Sequence, residues 1–182
     1  RLLQSSADEY SPLNGKDHLH AKVKEMVIMG GNFPSGEQEW NFDGAMPGVT
    51  KTVLAQLDMP IVFSGAELGA SLKTGEVFND LDPQEPLYLG FYHFSQYAPW
   101  VKENFQGQIN DNSTFDQTAV LYAVRNGEGT YWHKVTDGFC QADDTGGNTW
   151  IPKPGSNHSY LVLDMEQAQM EAELEAIMLG TF

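Results

Sequence analysis

Glu39, Trp40 and Asn41 stand in the stretch MGGNFPSGEQEWNFDG, residues 29–44, which follows an apolar run. Read as extended backbone, this stretch puts Glu39 and Asn41 on one side and Trp40 on the other. A carboxylate beside an amide can grip a diol or polyol, because the carboxylate accepts from hydroxyls and the amide both donates and accepts. The plainer alternative is a Glu-Asn pair that caps the helix after it, and spacing alone favours that alternative. Asn32 follows Gly30 and Gly31, which let backbone approach a ligand closely; an ordinary turn accounts for the same residues. Asp43 reads as the N-cap of a helix over 44–57. Asp116 falls in the first turn of a later helical pattern, where a carboxylate suits the helix dipole. The sharper reading of Asp116 is a metal ligand or an acid at the mouth of a sheet.

The elements that must hold these residues follow from periodicity. Residues 1–6 have the look of the end of an apolar-faced helix, and SPLNG is a turn. EMVIMGG and PIVFSG are short apolar runs ending in glycine, as buried strands do. Between them Val49, Val53, Leu54 and Leu57 recur at helical spacing. The order strand, loop, helix, strand over 25–64 is that of a βαβ unit and a mostly parallel sheet flanked by helices. In such α/β sheets ligands sit outside the carboxyl ends of the strands, where residues 29–44 fall. AELGASLKTG predicts a short helix stopped by Gly75. Residues 83–100 are helical and rich in aromatics. STFDQTAVLYAVRNG predicts a helix opened by Ser113 or Thr114 and stopped by Asn126-Gly127. Residues 130–163 break into short β-prone runs and predict a small antiparallel elaboration. A closing helix over 165–179 carries Met170, Leu174, Ile177 and Met178 on one face.

Composition narrows the classes of function. Ten Lys and Arg stand against 25 Asp and Glu, a formal net charge of −15. That balance repels nucleic-acid phosphates and anionic membranes, so neither is expected as a partner. No apolar run approaches the roughly 20 residues that span a bilayer. A single cysteine, Cys140, excludes an intrachain disulfide. The five histidines show no metal-ligand spacing and are expected on loops or the surface. DDTGGNTW lacks the ligand order of a calcium loop and reads as a solvated turn. Compartment is left open.

Taken in order, KVKEMVIMGGNFPSGEQEWNFDG, PIVFSGAELG and STFDQTAVLYAV resemble the carboxyl-terminal portion of the inosine/uridine-type nucleoside hydrolases. The M-G-G after a strand, the E-x-N about ten residues on and the Asp opening a later helix carry the resemblance. It is firm over 22–70 and 112–125 and loose over 126–165. It implies a Ca²⁺-dependent hydrolase that cleaves the N-glycosidic bond of ribonucleosides, with calcium holding the ribose hydroxyls and the attacking water. Carried over by position, Glu39 and Asn41 would bind ribose, Asn32 would contact it, and Asp116 would ligate calcium. Two departures stand out. The residue before Asp116 is Phe115, where well-studied members place a histidine that helps the base leave. The family's amino-terminal D-x-D-x-x-x-D-D run, source of the catalytic base and most calcium ligands, has no counterpart here. The resemblance therefore implies an incomplete domain: residues 1–182 as the carboxyl-terminal portion, with no catalytic base of its own and inactive alone. The expected partners are a nucleoside, the missing amino-terminal segment and, as for many members, a second copy. The competing expectation is a non-catalytic sugar-binding or structural module that keeps the fold.

Overall fold

The computed structural model describes residues 1–44, 46–125 and 131–181. Its first strand, β1 (Met26–Met29), and the buried run β3 (Ile61–Ser64) pair in parallel, Met26 opposite Ile61 and Met29 opposite Ser64. Between them lie a two-residue strand β2 (Ser35–Gly36) and two helices, α2 (Trp40–Asp43) and α3 (Val49–Gln56). The βαβ unit read from the sequence is therefore present. β3 is buried at all four residues, as a strand covered on both faces is, and β1, at the sheet edge, is apolar and half-buried throughout.

The sheet is broader than that unit. After β3 come α4 (Ala66–Ser71), the short strand β4 (Lys73–Thr74), α5 (Pro86–Tyr97), the short strand β5 (Asn112–Ser113) and α6 (Phe115–Arg125). The chain then runs through β6 (Trp132–Ala142), β7 (Asn148–Pro152) and β8 (His158–Leu163) to α7 (Gln167–Leu179). One six-stranded sheet has the order β1-β3-β8-β6-β7-β2. β8 lies parallel to β3, and β6, β7 and β2 continue the sheet antiparallel. The expected antiparallel elaboration is thus no appendage. It completes the main sheet, which is mixed rather than mostly parallel. Short β-prone runs identify strands but do not say which neighbour they pair with. The outer edge of β1 carries no strand among the described residues.

Three further expectations need correction. Residues 2–4 form a 3₁₀ turn, and the first helix is α1 (Gly15–Lys22), capped by the Asn14 side chain. Asp43 ends α2, and α3 begins after Gly48, so Asp43 caps nothing. α4 stops at Ser71, short of Gly75, because Lys73 and Thr74 pair with β5. The stop assigned to Asn126-Gly127 lies outside the described residues.

Two apolar clusters sandwich the sheet. Ile61 and Phe63 of β3 enter one with Phe33, Phe42, Leu54 and Tyr160. Val62, between them, enters the other with Leu68, Leu121, Met170 and Leu174. Alternation along one strand therefore ties the two faces together. His158 departs from the expected surface role and packs edge-on against Phe63 at 5.6 Å. Phe63 is fully buried and also meets the rings of Phe33 and Phe42. Phe63→Ala is expected to cost about 3–5 kcal/mol through lost burial and a residual cavity, read as a fall in the urea midpoint at constant slope.

Candidate functional site

A cavity of about 1040 Å³ opens past the carboxyl end of β1. Met29 and Ala66 line its floor, and Glu39, Asn41 and Asp116 meet around it. Three of the residues singled out by type and spacing, from segments far apart in the chain, thus share one cleft. Asn32 does not join them. Its N–H donates to Asn148 Oδ1 at 2.8 Å, and its carbonyl accepts from Asn148 Nδ2 at 2.7 Å. That clasp holds the loop against β7, away from the cleft.

Glu39 stands in the cleft wall as a helix cap, the plainer of the two roles its spacing allowed. The segment is not extended through Asn41, because Trp40 begins α2 and Glu39 is its N-cap. Glu39 Oε2 accepts from Gly31 N at 2.9 Å and Phe42 N at 3.2 Å, and Oε1 accepts from Asn41 N at 3.0 Å. The residue is 7% exposed. The capping role is therefore real, and one oxygen, Oε1, still has a lone-pair direction to offer. The loop can make this contact only because Gly31 has φ +77, in the left-handed region. A Cβ on Gly30 would stand 2.8 Å from the Phe42 ring. Asn41 is exposed, and its Nδ2 reaches Met29 Sδ at 2.8 Å. Among the described residues its Oδ1 accepts no hydrogen bond.

Asp116 is placed by α6. The hydroxyls of Ser64, at the end of β3, and Thr118 are bonded at 2.7 Å, both fully buried. Thr114 N donates to Gly69 O and Leu72 O at 3.0 and 3.1 Å. Gly69 allows this approach, since a Cβ there would come within 2.6 Å of Phe115 Cα. The result is an exposed Asp116 carboxylate in the cleft, with no hydrogen-bond partner among the described residues.

The aromatic side of the cleft was read from the sequence only as a helical stretch rich in aromatics, with Phe115 noted apart from it. Pro86, Leu87, Gly90, Phe91 and Phe94 put one face of α5 toward the cavity, and Trp100 and Phe115 continue it. Phe94 and Trp100 meet edge-on at 6.1 Å. Phe91 is braced from behind by the buried Phe78 at 4.6 Å. The signal was present as aromatic residues at helical spacing in 83–100, but periodicity does not say whether such a face meets a core or a cleft.

Calcium takes about six to eight oxygen ligands. The cleft offers one uncommitted carboxylate, with the Asn41 and Asn112 amides nearby on its wall. Among the described residues no group of three or more His, Cys, Asp or Glu stands together to hold a metal. This donor set does not make a calcium site by itself. Burial pushes the Cys140 thiol up to about 12, so the lone cysteine is no nucleophile near neutral pH.

A second carboxylate lies behind the loop. Glu67 is partly exposed, but it also lines a small cavity beside Phe33, Leu68 and Tyr160. Burial there raises its pKa above the ordinary 4.5; the Phe33 N–H, donating at 3.0 Å, pulls it down, and the charge of Glu39 adds to the rise. A raised carboxyl pKa in the folded state means the fold holds the proton more tightly than the unfolded chain does. Glu67 therefore contributes stability that is full below pH 4.5 and lost as pH rises through its raised folded value. No family model matches this chain, and no curated protein matches it.

Two expectations follow from these contacts. Glu39→Ala should cost roughly 2–3 kcal/mol, the range for charge-assisted bonds to buried amides. Glu39→Gln should recover part of that loss in the same denaturant titration. Glu67→Gln should flatten the fall in stability with pH, so that urea midpoints of variant and parent diverge toward neutral pH in the variant's favour.

Proposed function

We propose that this chain forms the nucleoside-holding face of an N-ribohydrolase, a hydrolase that splits a ribonucleoside into ribose and free base. The observation that carries the reading is the convergence of Glu39, Asn41 and Asp116 on one large cleft at the carboxyl end of a parallel strand pair. Ligands favour that position in α/β sheets. The sequence resemblance to the inosine/uridine-type nucleoside hydrolases names the same residues.

In this reading the Asn41 amide and the spare Glu39 lone pair bind ribose hydroxyls. The rigid cap around Glu39 fixes where those acceptors stand, so little ordering is needed on binding. Asp116 is this chain's contribution to a calcium site whose other ligands, and the base that deprotonates water, come from outside the described residues. Calcium, when bound, would make its water a better nucleophile near neutral pH. The open edge of β1 and the incomplete donor set both suit a further segment joining here. A second reading, a non-catalytic nucleoside- or sugar-binding module, draws on Phe115, which can donate no proton to a leaving base.

The test is release of reducing sugar from uridine and inosine by the native full-length protein, with calcium and with chelator. Calcium-dependent release is expected. Asp116→Ala should lower kcat/KM by at least about 100-fold, the upper end of what losing an outer-shell partner costs. Asn41→Ala should raise KM by up to about ten-fold, as loss of one neutral hydrogen bond does. Nucleoside binding without any sugar release would favour the second reading.

A further inference from the structure

The short ladder of β4 and β5 stands beside the cleft. Its strands pair antiparallel, with Lys73 opposite Ser113 and Thr74 opposite Asn112. Directly opposed side chains share one face of such a ladder, and Lys73 Nζ donates to Ser113 Oγ at 2.7 Å. The bond is set in a fixed frame. Lys73 N donates to Glu171 Oε1 of α7 at 2.7 Å. The neighbouring hydroxyls of Thr74 and Thr114 are bonded at 2.9 Å and fully buried. Ser113 is half-buried and lines the cavity together with Phe115 and Asp116, whereas Lys73 is exposed to solvent. An ammonium has only donors, so the serine oxygen accepts from it and the serine O–H is left to donate elsewhere. A hydroxyl that accepts from a charged donor is polarised toward giving its own proton away.

We infer that Ser113 donates a proton to the departing base and that Lys73, acting through it, restores the serine hydroxyl. This rests on the nucleoside reading above and assigns that site's leaving-group step. A purine or pyrimidine leaves as an anion unless it is protonated, and Phe115 cannot supply that proton. Ser113 shares the cleft with Phe115, which continues the aromatic wall where a base would lie. The C1′–N bond breaks with both electrons going to the base. The Ser113 hydroxyl proton passes to the base, and a Lys73 N–H proton passes to Ser113 Oγ. Water oxygen bonds to C1′, and the proton it loses goes to the base catalyst that the nucleoside reading already requires, then to solvent. Lys73, being exposed, regains its proton from solvent. The products are ribose and the neutral base, with no further reactant. Ser113 is thus the catalytic residue of the pair and Lys73 its positioning partner.

The test is steady-state hydrolysis of uridine, inosine and p-nitrophenyl β-ribofuranoside by the native full-length protein in the presence of calcium. The third substrate shares the sugar, but its nitrophenolate leaves without a proton. Ser113→Ala and Lys73→Met should each lower the ratio of kcat for uridine to kcat for the nitrophenyl substrate by about 100-fold, the lower end of what a general acid contributes. The same fall is expected for inosine. Lys73→Arg keeps a charged donor and should recover part of the ratio. An equal loss on all three substrates, as a merely structural role would give, or no loss on any, would overturn the inference while leaving the nucleoside reading in place. Failure of the unsubstituted protein to turn over all three would remove both.

Discussion

The carboxylate of Glu39 is the contact on which the site depends. It gathers the N–H groups of Gly31, Asn41 and Phe42, three donors from the loop after β1 and the start of α2. Without that acceptor the buried Gly31 N–H would lose its partner, which costs about 1–3 kcal/mol for a group left unsatisfied, and the first turn of α2 would lose its cap. The same carboxylate sets the start of α2, so it also sets where Asn41 faces the cleft and where Phe42 enters the core. A residue first noticed as a possible sugar ligand thus shapes the place where a sugar would lie. Structural and functional roles are not alternatives at this position, because the cap uses fewer acceptor directions than a carboxylate has.

The second support is the joint between β3 and α6. Ser64 and Thr118 share a buried hydroxyl bond, and Gly69 lets α4 press against the first turn of α6. Small side chains serve here because the backbones must come close. Asp116 owes its position to this joint, although none of the joint's residues faces the cleft as an acceptor for a ligand.

Much of this was legible in the residues themselves. Apolar runs ending in glycine located β1 and β3, and helical spacing located α3, α5, α6 and α7 to within a few residues. Glu39, Asn41 and Asp116 stood out by chemical type, and the fold brings them together. The misses share one cause. Local pattern cannot report a partner distant in the chain. Asn32 resembled a loop ligand, but its backbone is held by Asn148, 116 positions away. β8 resembled part of a separate hairpin region, but it inserts beside β3. Asp43 had the type and position of a helix cap, yet the helix it was assigned to begins after Gly48, whose left-handed backbone makes the turn without a side chain.

The aromatic face of α5 has a further consequence. None of its residues belongs to either of the two apolar clusters that hold the sheet. Its brace is Phe78, which is fully buried yet belongs to neither cluster. The cleft therefore has one wall whose side chains also build the core and one wall whose side chains do not. Exchange of Phe94 or Trp100 would change what the cavity admits while leaving the central packing alone. Exchange of Phe42 or Glu39 would disturb both at once. Selectivity and foldedness are thus carried by separate residues, and the molecule can be retuned along one without being undone along the other.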